Sequence, residues 1–292
     1  VARLFTTESR VAALYDVDVL VTVLDTPRFL DWFDGESAPE RWGSEGDRPL
    51  SDLLVEQIEV SNIVLLNKAD QCSTAELDAA AELVAALQPD AETLRTEFSA
   101  VDPDRLLSVD RFEQASVDDL PGWKRALDEG HGDESADHDH RHPDELYGVS
   151  SFTVRRHQPV DAEEFAAFLR ELPPEIVRAK GTVWLAGYDQ RVVVSQAGPS
   201  VRATAQGPWI ASLPEVDRRM YRENRPDLEW HDDHGDRRTE LVFIGTEYDE
   251  DALRSALNET LVAIGEFDGE TDHAVDTPFP TEAGAEAVIR EP

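Results

Sequence analysis

The chain of 292 residues carries 62 acidic against 27 basic side chains, a formal net charge of −35, which excludes nucleic acid and membrane surfaces as partners by simple repulsion. A hydrophobic fraction of 40%, with six Trp and eleven Phe, supports one large or two ordinary folded domains and excludes disorder of the whole chain. The single cysteine, Cys72, excludes an internal disulfide framework and a multi-cysteine zinc site.

The acids are spread along the chain and not gathered in a tail. That distribution predicts a halophilic protein, because at molar salt the screening length falls to about 3 Å and such self-repulsion is tolerated. No apolar run is long enough to span a bilayer and no signal peptide is present, so a cytoplasmic protein is expected. The chain begins at Val1 and holds one methionine, Met220. A longer N-terminal segment is expected before it.

Residues 8–16 read as a short helix, and residues 17–24 as an apolar strand ending in Asp25-Thr26-Pro27. Residues 34–49, rich in Gly, Pro and charge, read as a loop. Residues 50–59 have helical spacing, and residues 61–66 form a second apolar strand running into Asn67. Residues 74–87 predict a helix with Leu77, Ala80, Ala81, Val84 and Leu87 as its stripe, capped by Ser73 or Thr74 and stopped by Pro89. Fully apolar strands alternating with helices predict an α/β parallel sheet. Residues 128–145 hold charge, His and Gly without apolar periodicity and read as a linker. Beyond it, strands are predicted at 149–154, 182–185, 191–195 and 240–244, with a hairpin turn across Gly187-Tyr188-Asp189. Helices are predicted at 161–172 and 249–262. This order predicts a smaller α+β domain with a mainly antiparallel sheet. No structure is predicted after Glu266.

Asn67-Lys68-Ala69-Asp70, at the end of an apolar strand, has a specific chemical use. An Asp carboxylate accepts one hydrogen bond from guanine N1–H and one from the exocyclic amine. Adenine offers an acceptor at the first position and no amine at the second, which leaves the carboxylate unpaired. The Lys stem lies over the base with its ammonium in water, and the Asn ties neighbouring loops together. The carboxyl end of a strand in an open sheet is where such folds bind ligands. The alternative is a plain polar turn closing the strand. A G-x-x-x-x-G-K-[ST] loop, which would hold the phosphates, does not occur in the sequence.

These residues resemble the CobW-type P-loop GTPases, a family of metallochaperones. VEQIEVSNIVLLNKAD carries the family's element in Gln57, Ile58, Ile63, Asn67, Lys68 and Asp70, with Ser61 and Asn62 where Ala and Asp are usual. VARLFTTESRVAALYDVDVLVTVLDT resembles the stretch after the second switch. SAVD resembles a G-x-V-D segment, with Ala100 taken as standing for the glycine. EIVRAKGTVWLA, GPWIA and HGDRRTELVFIG resemble the C-terminal domain, most closely that of the zinc-responsive branch.

The resemblance implies a partial P-loop GTPase domain over residues 1–127, a His/Asp-rich linker over 128–146 and a CobW C-terminal domain over 147–292. It implies GTP with Mg²⁺ as cofactors, Zn²⁺ or Co²⁺ as cargo, cobalamin synthesis as a setting, and a client metalloprotein as partner, with a homo-oligomer left open. The family's P-loop, C-x-C-C motif and switch glutamate would lie before Val1. No catalytic residue is therefore assigned, and this chain alone is expected not to hydrolyse GTP. The alternative is a non-hydrolysing metal- or partner-binding protein derived from such a GTPase.

Metal binding is expected at His131, His138, His140 and His142, four of the eight histidines, interleaved with Asp133, Asp137, Asp139 and Asp144. The alternative there is a solvated acidic linker. His231 and His234 read as part of a polar turn before a strand, with a metal or partner site as the alternative. One of Arg237 and Arg238 is expected to pair with an internal acid, Asp25 to be structural, and Trp184 and Trp209 to be core.

Overall fold

The computed structural model describes residues 17–33, 50–107, 109–112, 149–225, 228–262 and 277–291. The predicted helix at 8–16, the loop at 34–49 and the linker lie outside the described residues. The chain divides into two compact units.

The first holds a three-stranded parallel sheet in the order β1-β2-β3, from β1 (Val21–Asp25), β2 (Ile63–Asn67) and β3 (Glu92–Arg95). Ile63 to Leu66 are buried on both faces, as a central parallel strand requires. β1 starts four residues later than predicted, at Val21 instead of Val17. Its register with β2 runs from Val21 opposite Ile63 to Asp25 opposite Asn67, so the two carboxyl ends are level. Ser61 and Asn62 fix this register. The Ser61 and Thr22 hydroxyls lie 2.6 Å apart in the interior, and Asn62 Oδ1 accepts from the Leu20 amide at 2.9 Å.

Three helices belong to this unit: α1 (Thr26–Phe33), α2 (Leu50–Glu59) and α3 (Thr74–Leu87). α1 was not predicted, although Pro27 in its first turn suits a helix start, where the missing N–H costs nothing. α3 follows its predicted bounds, and Ser73 caps it. The Ser73 hydroxyl accepts from the Glu76 amide at 3.2 Å, and the Glu76 carboxylate accepts from the Ser73 amide at 2.6 Å. Hydrogen bonding from Ser73, its backbone amide first and then its hydroxyl, holds the Glu76 carboxyl below its ordinary value.

The second unit is built on a six-stranded sheet in the order β4-β8-β5-β6-β7-β9. Its strands are β4 (Val149–Arg156), β5 (Ile176–Val183), β6 (Gln190–Ala197), β7 (Ser200–Pro208), β8 (Thr239–Thr246) and β9 (Glu286–Arg290). The pairings β5–β6, β6–β7 and β7–β9 are antiparallel. The predicted hairpin is present but longer, since β5 begins at Ile176 and not at Thr182. β9 falls in the stretch where no structure was predicted.

Helices α4 (Ala162–Arg170), α5 (Glu215–Glu223) and α6 (Glu250–Glu259) complete the unit. Asp161 and Asp249, predicted as the first helical residues, are instead the N-caps of α4 and α6. Phe165, Phe168 and Leu169 of α4 and Leu253 and Leu257 of α6 join one core with Phe152, Phe243 and Phe279. Trp184 and Trp209 are buried, as expected.

The family-like runs in this unit have structural reasons. A Cβ at Gly181 would meet the Glu240 carbonyl oxygen at 2.0 Å, so only glycine lets β5 approach β8 there. Buried Asp236 accepts the amides of Ile210 and Ala211 at 2.9 and 2.8 Å, which joins the GDRR run to the GPWIA turn. Arg238 pairs with Glu240 at 2.8 Å, and Arg155 donates to the same carboxylate. Burial raises the Glu240 carboxyl, but the two guanidiniums outweigh it and hold it below the usual range.

Candidate functional site

The loop after β2 brings the predicted residues to the carboxyl edge of the parallel sheet. Asn67 turns its Oδ1 across to the next loop and accepts from the Ser99 amide at 2.7 Å. Lys68 adopts a left-handed backbone, φ 63° and ψ 34°, which turns the chain sharply into the short 3₁₀ turn Ala69–Gln71. The Lys68 ammonium lies 2.6 Å from the Asp25 carboxylate, both half-exposed. Asp25 therefore orients Lys68 from the end of the neighbouring strand. The Ala69 amide donates to the Thr96 carbonyl at 3.1 Å, and the Thr96 amide to the Leu66 carbonyl at 2.9 Å, locking the two loops together.

Asp70 is exposed, and among the described residues its carboxylate has no hydrogen-bond or ion-pair partner. Both of its oxygens are free to accept. Cys72, two residues on, is held as a thiol: burial raises it first, and the carboxylates of Glu76, Asp25 and Asp70 add to that.

The adjoining loop carries a feature that sequence reasoning missed. Phe98 and Ser99 are both left-handed, φ 51° and 54°, and Phe98 is 91% exposed. The positive backbone angle falls on these two residues and not on Ala100, where a glycine substitute was expected. Counting back from Val101-Asp102 puts the glycine position of G-x-V-D at Ser99, which agrees with its angle.

A second cluster lies in the other unit. His231, Asp233 and His234 each offer a ligand atom, all within 4.8 Å of one another. His157, at the end of β4, stacks on His231 with ring centroids 5.0 Å apart, and His231 stacks on His234 at 4.8 Å. Burial lowers His157 below its ordinary value, followed by its neighbours His231, Arg155 and Arg238, with Glu229 opposing. Burial also lowers His234, followed by His231, with Asp233 opposing. Nothing in the sequence spacing points to His157, more than seventy residues away.

Two family models match this chain. Residues 1–95 match the CobW/HypB/UreG nucleotide-binding domain, and residues 149–261 match the cobalamin synthesis protein cobW C-terminal domain. The chain belongs to the CobW family.

A curated relative is zinc-regulated GTPase metalloprotein activator 1 of Dictyostelium discoideum, 28% identical over 265 residues. That match takes in 86% of this chain and 53% of the relative, so the chain spans about half the length of the protein it resembles. Among solved structures it is similar to the Zn(II)-bound YjiA GTPase from E. coli, with a TM-score of 0.35 and 18% identity, over 88% of this chain and 65% of that one. A Zn(II)-bound triple mutant of YjiA scores 0.33 at 16% identity over the same shares.

In this CobW-family chain, the structure brings Asn67, Lys68 and Asp70 into one loop at the sheet edge. His131, His138, His140 and His142 lie outside the described residues. Arg238 is the arginine that pairs with an internal acid, Glu240, and it also pairs with the half-exposed Glu229. Arg237 donates to the Ser212 hydroxyl at 2.8 Å. No helix among the described residues is long and apolar enough to cross a membrane.

Proposed function

We propose that this chain supplies the guanine-recognising part of a GTP-dependent metal chaperone, which carries Zn²⁺ or Co²⁺ to a client metalloprotein in the cytoplasm of a high-salt cell. The observation that carries the reading is the Asp70 carboxylate, without a partner among the described residues, presented beside the Asn67–Ser99 and Lys68–Asp25 contacts at the carboxyl edge of a parallel sheet. Membership of the CobW family and the name of the Dictyostelium relative, a zinc-regulated metalloprotein activator, support the metal side of it.

In this reading Asp70 accepts guanine N1–H and the exocyclic amine. The Lys68 stem covers one face of the base, with its ammonium steered by Asp25. Asn67 holds the 96–99 loop against the pocket, and Phe98 gives the base an apolar surface. GTP bound with Mg²⁺ would supply the energy of the switch through γ-phosphate hydrolysis. No residue of this chain is assigned to that step, since its sequence has no G-x-x-x-x-G-K-[ST] run. His131, His138, His140 and His142 would gather metal through their imidazoles, and the domains would follow the bounds 1–127, 128–146 and 147–292.

The test is Asp70→Asn in the full-length protein. Losing the charge-assisted pair of hydrogen bonds should weaken guanine nucleotide binding roughly a hundredfold, read by fluorescence titration in high salt. Unchanged affinity would remove Asp70 from the site.

A further inference from the structure

We propose that His231, Asp233 and His234 form a surface site for a borderline divalent cation, Zn²⁺ or Co²⁺, in the C-terminal unit. The inference stands whether or not residues 67–70 bind guanine.

The three ligands sit on a closed turn. The His231 amide donates to the Gly235 carbonyl at 2.8 Å, and the Gly235 amide returns a bond to the His231 carbonyl at 2.9 Å. Gly235 is left-handed at φ 69°, with the Trp230 ring 3.0 Å from where a Cβ would stand. Next to it, Asp236 is anchored to the Ile210 and Ala211 amides. The ligands thus rise from a backbone fixed on both sides.

Their ring nitrogens are available. Among the described residues, His234 makes no hydrogen bond through its ring. The ring bond of His231 is a long one, 3.2 Å from the Asp233 amide to Nδ1, and is the contact a metal or a turned ring would replace. His157 Nδ1 is buried without a partner beneath His231. A polar turn kept only for solubility has no need of three stacked imidazoles. The neighbouring cations are occupied elsewhere: Arg237 binds Ser212 and lies over the Trp184 ring, and Arg155 and Arg238 are paired with Glu229 and Glu240.

The distances suit a small adjustment. Ligand atoms around a tetrahedral ion at about 2.1 Å lie about 3.4 Å apart, against separations of up to 4.8 Å here. Side-chain rotation on a fixed turn closes that gap. Two imidazoles with one carboxylate select zinc, cobalt or nickel over magnesium and calcium. Three protein ligands leave a fourth position open, which is what a site that passes its ion on requires.

The experiment separates this site from the linker histidines. The full chain with His131, His138, His140 and His142 all changed to Asn is titrated, metal-free and in high salt, with Co²⁺ followed by its visible ligand-field absorption. The expected result is one Co²⁺ per chain with a tetrahedral-type spectrum. Adding His231→Gln and His234→Gln should cut the affinity at least a hundredfold, and Asp233→Asn about tenfold. If the linker variant binds no Co²⁺, or the added changes leave binding intact, the proposal is overturned. Near-UV circular dichroism checks that the variants fold. Should they not, anomalous diffraction from Co²⁺-soaked crystals of the unaltered chain decides: a peak between His231 and His234 supports the site, and its absence overturns it. Neither result depends on the nucleotide selectivity of Asp70.

Discussion

Lys68, Phe98 and Ser99 hold three of the five non-glycine left-handed backbones among the described residues, and all three lie on two loops tied by the Asn67–Ser99 and Ala69–Thr96 bonds. Each costs roughly 1–2 kcal/mol against an ordinary conformation. Strain concentrated in one place is retained when it aims side chains that a relaxed loop would not. Phe98 is the clearest case, an almost fully exposed aromatic that gains nothing for folding. Phe98→Ala is expected to weaken GTP binding about tenfold in the full-length protein, the order of one base–aromatic stack, while leaving the thermal midpoint unchanged or slightly raised. A lowered midpoint with unchanged binding would assign Phe98 to packing instead. At this scale the sequence was half legible. Asn67, Lys68 and Asp70 form a local motif whose chemistry can be read from residue types. Phe98 and His157 acquire meaning only through exposure or a long-range contact, and neither leaves a trace in spacing.

Elements were legible where apolar periodicity was strong. The stripe of α3 announced that helix, and Ser73, one of the two caps the sequence offered, starts it. α5 stayed hidden because it is dominated by charge and its few apolar residues, Val216, Met220 and Tyr221, are all exposed. β9 was missed because its five residues bury only Ile289 and carry no turn signal. The GDRR and GPWIA runs carry the family resemblance, yet their physical reason is visible only in the structure, where Asp236 accepts the Ile210 and Ala211 amides. Asp236→Ala would leave two amides without acceptors, one of them buried. The expected cost is about 3 kcal/mol, measured by urea unfolding with Trp fluorescence, since Trp209 sits at that turn. A loss below about 0.5 kcal/mol would show that the bonds do not hold the turn.

At the scale of the whole molecule, a net charge of −35 acts against compactness. If the surface is built for a high-salt interior, raising KCl from roughly 0.15 M to 2 M should raise the thermal midpoint by screening that repulsion. A flat or falling midpoint would remove the halophilic reading. The two-unit organisation was legible because the strand texture changes from fully apolar to alternating across the charged stretch. The arrangement of ligands within each unit was not, because register places Asp25 beside Asn67 and stacking places His157 beside His231 across long spans of chain. The central claim is that Asp70 reads guanine, and the most direct measurement is the ratio of GTP to xanthosine triphosphate affinity in the unaltered and Asp70→Asn full-length proteins. Asparagine can accept from xanthine N1–H and donate to its 2-carbonyl, so the ratio should invert in the variant. An identical ratio in the two proteins would contradict guanine recognition by this loop.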